Sequence, residues 1–511
     1  MLYLNKNTSD SAVSHFLEEV TEQISYQPLR PSIRQELESH IQDRIEEYES
    51  QGFSPADAEH QALCGMGDAI TIGTELNEAH KIQKSPRLTF ITALLLLAGF
   101  VFSCFLRWAP EQMSNGFLYY IPGGILLIFT VLKGYPFLIR HRKILALFIY
   151  LLYMAQIVIF VLSHFCRRRL GNVGTAYFAT LLLVPVITVL LYCSRHNRKK
   201  FLAAALRCAG VWMFIMYTSG PYHISDTAAA IFLLSTLGTV FFMIHRGILS
   251  GKKKYLYSGT LALLALLGSP LFLTTSGREK IDAFLSPQSA VYTTWNDTYN
   301  GILIQELLSR TPLTHGLELS PEEMMDYGTG AWYFASRDPR QIGIDATDIH
   351  TDKQHQEFQD KVEAIENQGG NPRYIHYQAD DVTLWDILPQ HYHNNYLIAV
   401  CIFLFGWLPG LALIGALGLF YWILFSCITR IHGNLASSLA FCCGQCLLWQ
   451  GVFYLLGNFG HQYAAFPNLP LISEGRLSII CNMLLLGLIF SAYRYDHVID
   501  EPVNYRPIIP G

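Results

Sequence analysis

The residues best placed for chemistry lie where a polar run meets an apolar one, in LPQHYHNNYLIAV, Leu388 to Val400. His391 and His393 flank Tyr392, and Asn394 and Asn395 stand close to the start of the apolar stretch. An imidazole can give or take a proton near neutral pH. A carboxamide can only donate and accept hydrogen bonds. The two histidines have no third ligand beside them, so no metal is implied. Asp380, Asp381 and Asp386 lie close upstream and are the nearby carboxylates that could act as a base. A second group, Asp345, Asp348, His350, Asp352 and His355, matches no zinc or calcium spacing and reads as a solvated helix face. CGQC, Cys443 to Cys446, has redox spacing but sits in an apolar helix, where a thiolate is costly, so it reads as packing. CRRRL, Cys166 to Leu170, sets three arginines together, suited to an anionic ligand or to lipid headgroups. Nothing matches a nucleophile elbow, a phosphate loop or a dinucleotide fingerprint.

The elements that must position these groups are membrane spans. Hydrophobic residues make up 51% of the chain and charged ones 15%, against roughly a quarter charged in soluble domains. A formal net charge of −4 gives no electrostatic reason for a nucleic-acid partner. The first ~85 residues show no short apolar core before a cleavage site, so the first span is expected to direct insertion. The polar stretch from Thr275 to Asn394 holds no cysteine, which argues against a disulfide framework there.

Residues 1–87 read as a small helical domain. Ile33, Leu37, Ile41 and Ile45 recur every four residues, Gly52 ends that helix, and Ser54-Pro55 with Asp57 restarts another. Apolar runs of spanning length follow at 88–107, 117–139, 144–164, 172–193, 201–218, 227–245, 255–274, 396–428, 435–456 and 476–493. The eighth is too long for one straight span, and Pro409-Gly410 is where it should bend. Lys81, Lys84, Arg87, Arg140, Arg142, Lys143, Arg195, Arg198, Lys199, Lys200, Arg246, Lys252, Lys253, Lys254, Arg430 and Arg494 all fall at ends that then share one side, the cytoplasm. The expected fold is therefore all-α: a polytopic membrane protein with about ten transmembrane helices and a large extracytoplasmic loop between helices 7 and 8. The divisions are 1–87 cytoplasmic, 88–274 helices 1–7, 275–394 the outer loop, 395–498 helices 8–10, and 499–511 a cytoplasmic tail. Both termini are expected in the cytoplasm and the chain in the plasma membrane.

The stretch from Gln450 to Leu488 resembles the final signature of the FtsW/RodA/SpoVE (SEDS) family, Q-x-x-x-N-x-x-x-x-x-G then G-x-P-L-P-F-I-S-Y-G-G-S-S. Gln450, Gly460, Leu469, Pro470, Ile472, Ser473, Gly475, Ser478 and Asn482 match, Tyr454 replaces the Asn, and Tyr-Gly-Gly has become Glu474-Gly475-Arg476. The family's L-P-E-x-H-T-D-F-I-F-A-V is matched by His393, Asn394, Asn395, Tyr396, Ile398, Ala399 and Val400, with Gly406 beyond and Leu388-Pro389 one residue too far upstream. REKIDAFLSP, Arg278 to Pro287, is similar to R-x-x-x-F-L-x-P, and CRRRLG to G-A-R-R-W-I-x-L-G. Residues 1–80 resemble the HAAS, or permease-prefix, domain of Gram-positive membrane proteins through Glu36-Leu37, His40-Ile41, Asp43, Gly52, Ser54, Ala58 and Met66-Gly67-Asp68.

The resemblance implies a protein of peptidoglycan synthesis in cell division or cell shape. It implies lipid II as the lipid-linked precursor, a class B penicillin-binding protein or another divisome or elongasome membrane protein as partner, and a cytoplasmic partner for the N-terminal domain. It places Asn395 where the family has its essential Asp, with His393 beside it. Arg167, Arg168, Arg278, Ser473, Gly475 and Asn482 become candidates for holding the lipid phosphate or shaping the groove. The departures go together: the segment that should supply the family's Lys reads GTAYFATLLL, Gly174 to Leu183, and the paired glutamates are Phe403 and Leu404. An amide cannot act as the base. A degenerate or regulatory member is therefore expected, with no cofactor. The alternatives are an active lipid II polymerase using Asp380, Asp381 or Asp386 (and a divalent cation), or a flippase or transporter of a lipid-linked precursor.

Overall fold

The structure, a computed structural model, describes residues 10–106, 116–141, 144, 151, 155, 158, 162, 173–197, 199–207, 210, 226–273, 275–289, 298–329, 341–345, 352–369, 371–375, 383–389, 392–463, 468–473 and 475–499. The N-terminal helices are α1 (Asp10–Glu22), α2 (Arg30–Ser50), α3 (Pro55–Met66) and α4 (Ala69–Ala79), and side-chain caps start the last two. The Ser54 hydroxyl accepts the Asp57 N–H to start α3, and the Asp68 carboxylate accepts the Thr71 N–H to start α4. Those bonds hold the Asp68 carboxyl below its ordinary pKa, the Thr71 hydroxyl contributing most. Ile33 and Ile41 are the buried side chains of α2.

The remainder is a bundle of apolar helices: α5 (Pro86–Leu106), α6 (Tyr120–Arg140), α7 (Val173–Ser194), α8 (Asp226–His245) and α9 (Lys253–Leu273). After the loop region come α10 (Thr275–Leu285), α11 (Thr298–Arg310), α12 (Pro321–Thr329), α13 (Asp352–Asn367), α14 (Leu384–Ile387) and α15 (Tyr392–Asn395). The last four are α16 (Leu397–Phe405), α17 (Trp407–Thr429), α18 (Asn434–Asn458) and α19 (Arg476–Arg494). Seven of these helices are long and apolar enough to cross a membrane among the described residues. The protein is a polytopic, all-α membrane protein, apart from one small ribbon in the loop region. Of the expected spans, 144–164 and 201–218 lie largely outside the described residues.

Burial sorts the helices into an inner and an outer set. In α7, α8 and α19, 67% of the apolar window is buried, against 22% in α6 and α17. The outer faces carry exposed Phe90, Ile121, Phe129 and Trp422, as a lipid-facing surface requires. Small residues let α6 and α19 approach closely: a Cβ on Gly487 would lie 2.6 Å from Thr130 Cβ, and one on Gly123 2.7 Å from Ile479.

The eighth apolar run breaks three residues before the position its proline suggests. Gly406 separates α16 from α17 with φ 88°, a left-handed conformation that glycine alone adopts freely. A Cβ there would lie 2.8 Å from the His315 backbone and 2.9 Å from Leu313 O. The freed backbone groups are taken up by the crossing segment: Leu317 N donates to Phe403 O (2.7 Å), Trp407 N to Pro312 O (3.2 Å) and Leu408 N to Leu313 O (2.9 Å). Pro409 falls in the first turn of α17, where its missing N–H costs nothing.

The loop region is not all helical. β1 (Gln341–Asp345) and β2 (Asn371–Ile375) pair in parallel, Gln341 opposite Asn371, with α13 between them in sequence. Asp345 therefore ends a strand, and only Asp352 and His355 of that acidic group lie on a helix; Asp348 and His350 are outside the described residues. The N-terminal domain docks on the far end of the bundle. Gln83 N donates to Arg494 O (3.2 Å), and the Tyr26 and Tyr495 rings lie 5.7 Å apart. Burial there, more than its tyrosine neighbour, raises the Tyr26 pKa.

Candidate functional site

Asn395 ends α15, and α16 begins two residues later. A helix start leaves several N–H groups without partners, and in an apolar setting each must find one. Tyr396 at the N-cap supplies no side-chain bond to the N–H groups of α16. The acceptors come from α18 instead. The Tyr454 hydroxyl accepts the Leu397 N–H and donates to Asn394 O, both at 2.9 Å. Asn458 Oδ1 accepts the N–H groups of Ile398 and Ala399, both at 3.0 Å, while its Nδ2 donates to Asn395 O and Tyr454 O, both at 2.9 Å. Asn458 and Tyr454 are both 0% exposed. One carboxamide and one phenol from α18 thus cap α16 in trans and pin the backbone of Asn394 and Asn395.

The Asn395 side chain is half-buried at this lip. Asn394 Oδ1 is buried without a partner among the described residues. The Tyr396 hydroxyl donates to Gln462 Oε1 at 2.9 Å, tying the next residue to the segment after α18. That segment turns at Gly460, whose φ is 86° and where a Cβ would lie 2.4 Å from Gly301 O. The sequence position matched by Gly460 is thus a backbone crossing with α11.

A second polar cluster runs between α18 and α19. Gln450 Nε2 donates to Asn482 Oδ1, and Asn482 Nδ2 donates to Ser478 Oγ, both at 3.1 Å. All three side chains are buried. The Ser473 hydroxyl, also buried, donates to Leu469 O at 3.2 Å. Asn468 Nδ2 occupies the space where a Cβ on Gly475 would sit, 1.9 Å away. Leu471 adopts φ 72°, a strained value for a branched residue. Its carbonyl and that of Ile472 face the Tyr120 hydroxyl at 3.3 and 2.8 Å.

The other sequence candidates fall elsewhere. Arg278 is exposed, and its Nε donates to Phe272 O at 2.7 Å, capping the C-terminus of α9. Asp386 closes a capping box at the start of α14: its Oδ2 accepts from Thr383 N at 2.7 Å and from Thr383 Oγ1 at 2.6 Å. His393 is the second residue of α15. Arg167, Arg168, Asp380, Asp381 and His391, and the His393 side chain, lie outside the described residues. Cys443 and Cys446 are free and fully buried.

Sequence reading missed Asn458 and the work of the Tyr454 hydroxyl. A signal was present: Gln450, Tyr454 and Asn458 recur every four residues along an apolar helix, which lines them on one face. Polar residues inside a membrane helix point by default to an interior role.

No family model matches the chain, and no curated protein matches it. Among solved structures, a chain from a study described as "Structural coordination of polymerization and crosslinking by a peptidoglycan synthase complex" is similar at 17% identity and a TM-score of 0.46, over 81% of this chain and 99% of that one. A likeness at that score carries no functional argument.

Proposed function

We propose that this chain is a non-catalytic or regulatory protein of the FtsW/RodA/SpoVE type, acting in peptidoglycan synthesis at the cell membrane. It would hold a lipid-linked precursor, a class B penicillin-binding protein or both, and polymerise nothing itself. The N-terminal domain would face the cytoplasm and relay a signal through its seat on the end of α19. The observation that carries the reading is the carboxamide of Asn395 at the matched acid position, on a backbone held in place by Asn458. A general base contributes ~10²–10⁴-fold, roughly 3–5 kcal/mol of barrier, and an amide supplies none of it.

Two features support it further. The described polar atoms of this lip are carboxamides, a phenol and backbone carbonyls, largely spent on one another. That set holds no carboxylate, the anionic donor a hard divalent cation prefers. The Asp386 carboxylate, one of three upstream candidates, already has its Oδ2 committed to Thr383.

The test is polymerisation of lipid II by the purified protein, alone and with class B penicillin-binding proteins. Neither condition should yield glycan above background, while labelled lipid II should bind. Polymer that disappears on substituting Asp380, Asp381 or Asp386 would instead establish an active enzyme with a displaced base. Transfer of labelled lipid across vesicles without polymer would replace the scaffold with a flippase.

A further inference from the structure

At the end of the bundle opposite the lip, three residues from two segments converge: His432 just before α18, and Asp496 and His497 just after α19. His432 Nδ1 lies 3.4 Å and His497 Nε2 3.6 Å from Asp496 Oδ2. All three candidate ligand atoms fall within 4.8 Å of one another. The imidazole rings are 4.9 Å apart at their centroids.

The carboxylate is fixed before any ligand arrives. Gly433 N donates to Asp496 Oδ1 at 2.7 Å and His432 N to Oδ2 at 2.8 Å. These two N–H groups lead into α18, so the acid sits on the positive end of that helix. The Asp496 side chain is 0% exposed, whereas His432 is 75% and His497 35% exposed. Among the described residues Asp496 has no lysine or arginine within ion-pair distance; the side chains that approach it there are the two imidazoles. A buried anion with two nearby imidazoles, one open to solvent, is a donor set with a path in. The His497 carbonyl also meets His80 Nδ1 at 2.8 Å, which ties the same corner to the N-terminal domain.

We infer that His432, Asp496 and His497 form a binding site for a divalent transition-metal ion of the zinc class, at the seat of the N-terminal domain. Two imidazole nitrogens and one carboxylate oxygen suit Zn²⁺, with the fourth position left to water. The backbone N–H groups of His432 and Gly433 orient the carboxylate as outer-shell partners do in metal sites. Magnesium and calcium, which prefer all-oxygen sets, do not fit. Ligand atoms 3.4–3.6 Å apart are close to the edge of a tetrahedron around zinc. The two histidine ligand nitrogens lie within 4.8 Å of each other, so closing that edge to tetrahedral size needs a shift of at most about 1.5 Å. The inference stands apart from the polymerase question, because it uses none of the lip residues.

The experiment uses the full chain in detergent, purified on a histidine-free tag. The Cys64→Ser background removes the exposed thiol that lies 3.7 Å from His60 on α3. Titration calorimetry with Zn²⁺, and the visible bands of Co²⁺ in its place, read the site. One equivalent should bind, and millimolar Mg²⁺ should not compete. His432→Gln, at an exposed position that leaves the fold intact, should weaken Zn²⁺ binding at least tenfold, and His497→Gln likewise. Asp496→Asn should abolish binding, but it also gives up one of the two acceptors that hold the start of α18, so the histidine variants carry the decision. Absence of a Zn²⁺ isotherm in the folded protein, or an isotherm unchanged by His432→Gln and His497→Gln, overturns the assignment.

Discussion

Replacing Asn458 with alanine tests whether α18 truly caps α16. The side chain accepts two N–H groups, from Ile398 and Ala399, and donates to Asn395 O and Tyr454 O. Losing one acceptor from a buried donor costs about 1–3 kcal/mol. Two donors are stranded here, at a residue with 0% exposure. Simple addition gives about 2–6 kcal/mol, and some relaxation, or a water entering the space left by the amide, trims the upper end. The expected cost is about 3 kcal/mol, more than an exposed N-cap gives up. Asn458→Asp separates the parts: a carboxylate still accepts both N–H groups at a helix N-terminus, but it faces Asn395 O and Tyr454 O with no proton to give. It should unhinge Asn395 while sparing much of α16. Thermal unfolding in detergent gives the cost, and hydrogen exchange at Ile398 and Ala399 locates it. If Asn458→Ala changes stability by less than about 0.5 kcal/mol and leaves exchange at those two amides unaltered, trans-capping is wrong.

Three further outcomes follow from the geometry. Gly406→Ala places a side chain in the left-handed region against the His315 and Leu313 backbone, and should cost about 2 kcal/mol or more by thermal unfolding. The Ser320 N–H, then Arg310, holds the Glu323 carboxyl below its ordinary pKa. A depressed folded-state pKa stabilises the protein above the unfolded value and ceases to do so as pH falls through the folded one. The α11–α12 contact should therefore loosen below about pH 4, seen as faster exchange in 320–329, and Glu323→Gln should remove that dependence. A double-mutant cycle on Gln450 and Asn482 should give a coupling of about 0.6 kcal/mol and at most about 1.7, as for hydrogen bonds between membrane helices. Additive substitutions would show that the pair does not bind itself.

The helix pattern was legible because its rules are local. Ser54 and Pro55 start α3 by cap chemistry alone, and apolar length marks α5, α6 and α18 without reference to any neighbour. The break in the eighth run was not legible in the same way. Proline is a local signal and pointed to Pro409, but the kink belongs to Gly406, whose carbonyl and amide neighbours bond to a segment about ninety residues earlier in the chain. The parallel ribbon was hidden for a related reason: β2 carries Pro372, and two strands of five residues offer little alternation to read. At the site, residue type was legible and partnership was not. Asn395 could be matched to an acid position from sequence, but that Asn458 holds its carbonyl depends on how α15 and α18 meet.

That partnership also limits what the lip can do. A helix N-terminus facing a polar lip would ordinarily offer its N–H groups to an anion such as a phosphate. Here Tyr454 and Asn458 have already taken the first three, at Leu397, Ile398 and Ala399. The backbone of α16 therefore has little left to give an anionic ligand, and recognition at this edge must come from side chains. Those described are the carboxamides of Asn394 and Asn395, one of them with a buried oxygen that lacks a described partner. Carboxamides suit hydroxyl and amide groups, as on an amino sugar or a peptide, better than they suit a proton transfer. The described carboxamides of this edge can bind such groups and take no proton, which fits the proposed reading of a protein that holds its ligand in place and leaves the chemistry to another.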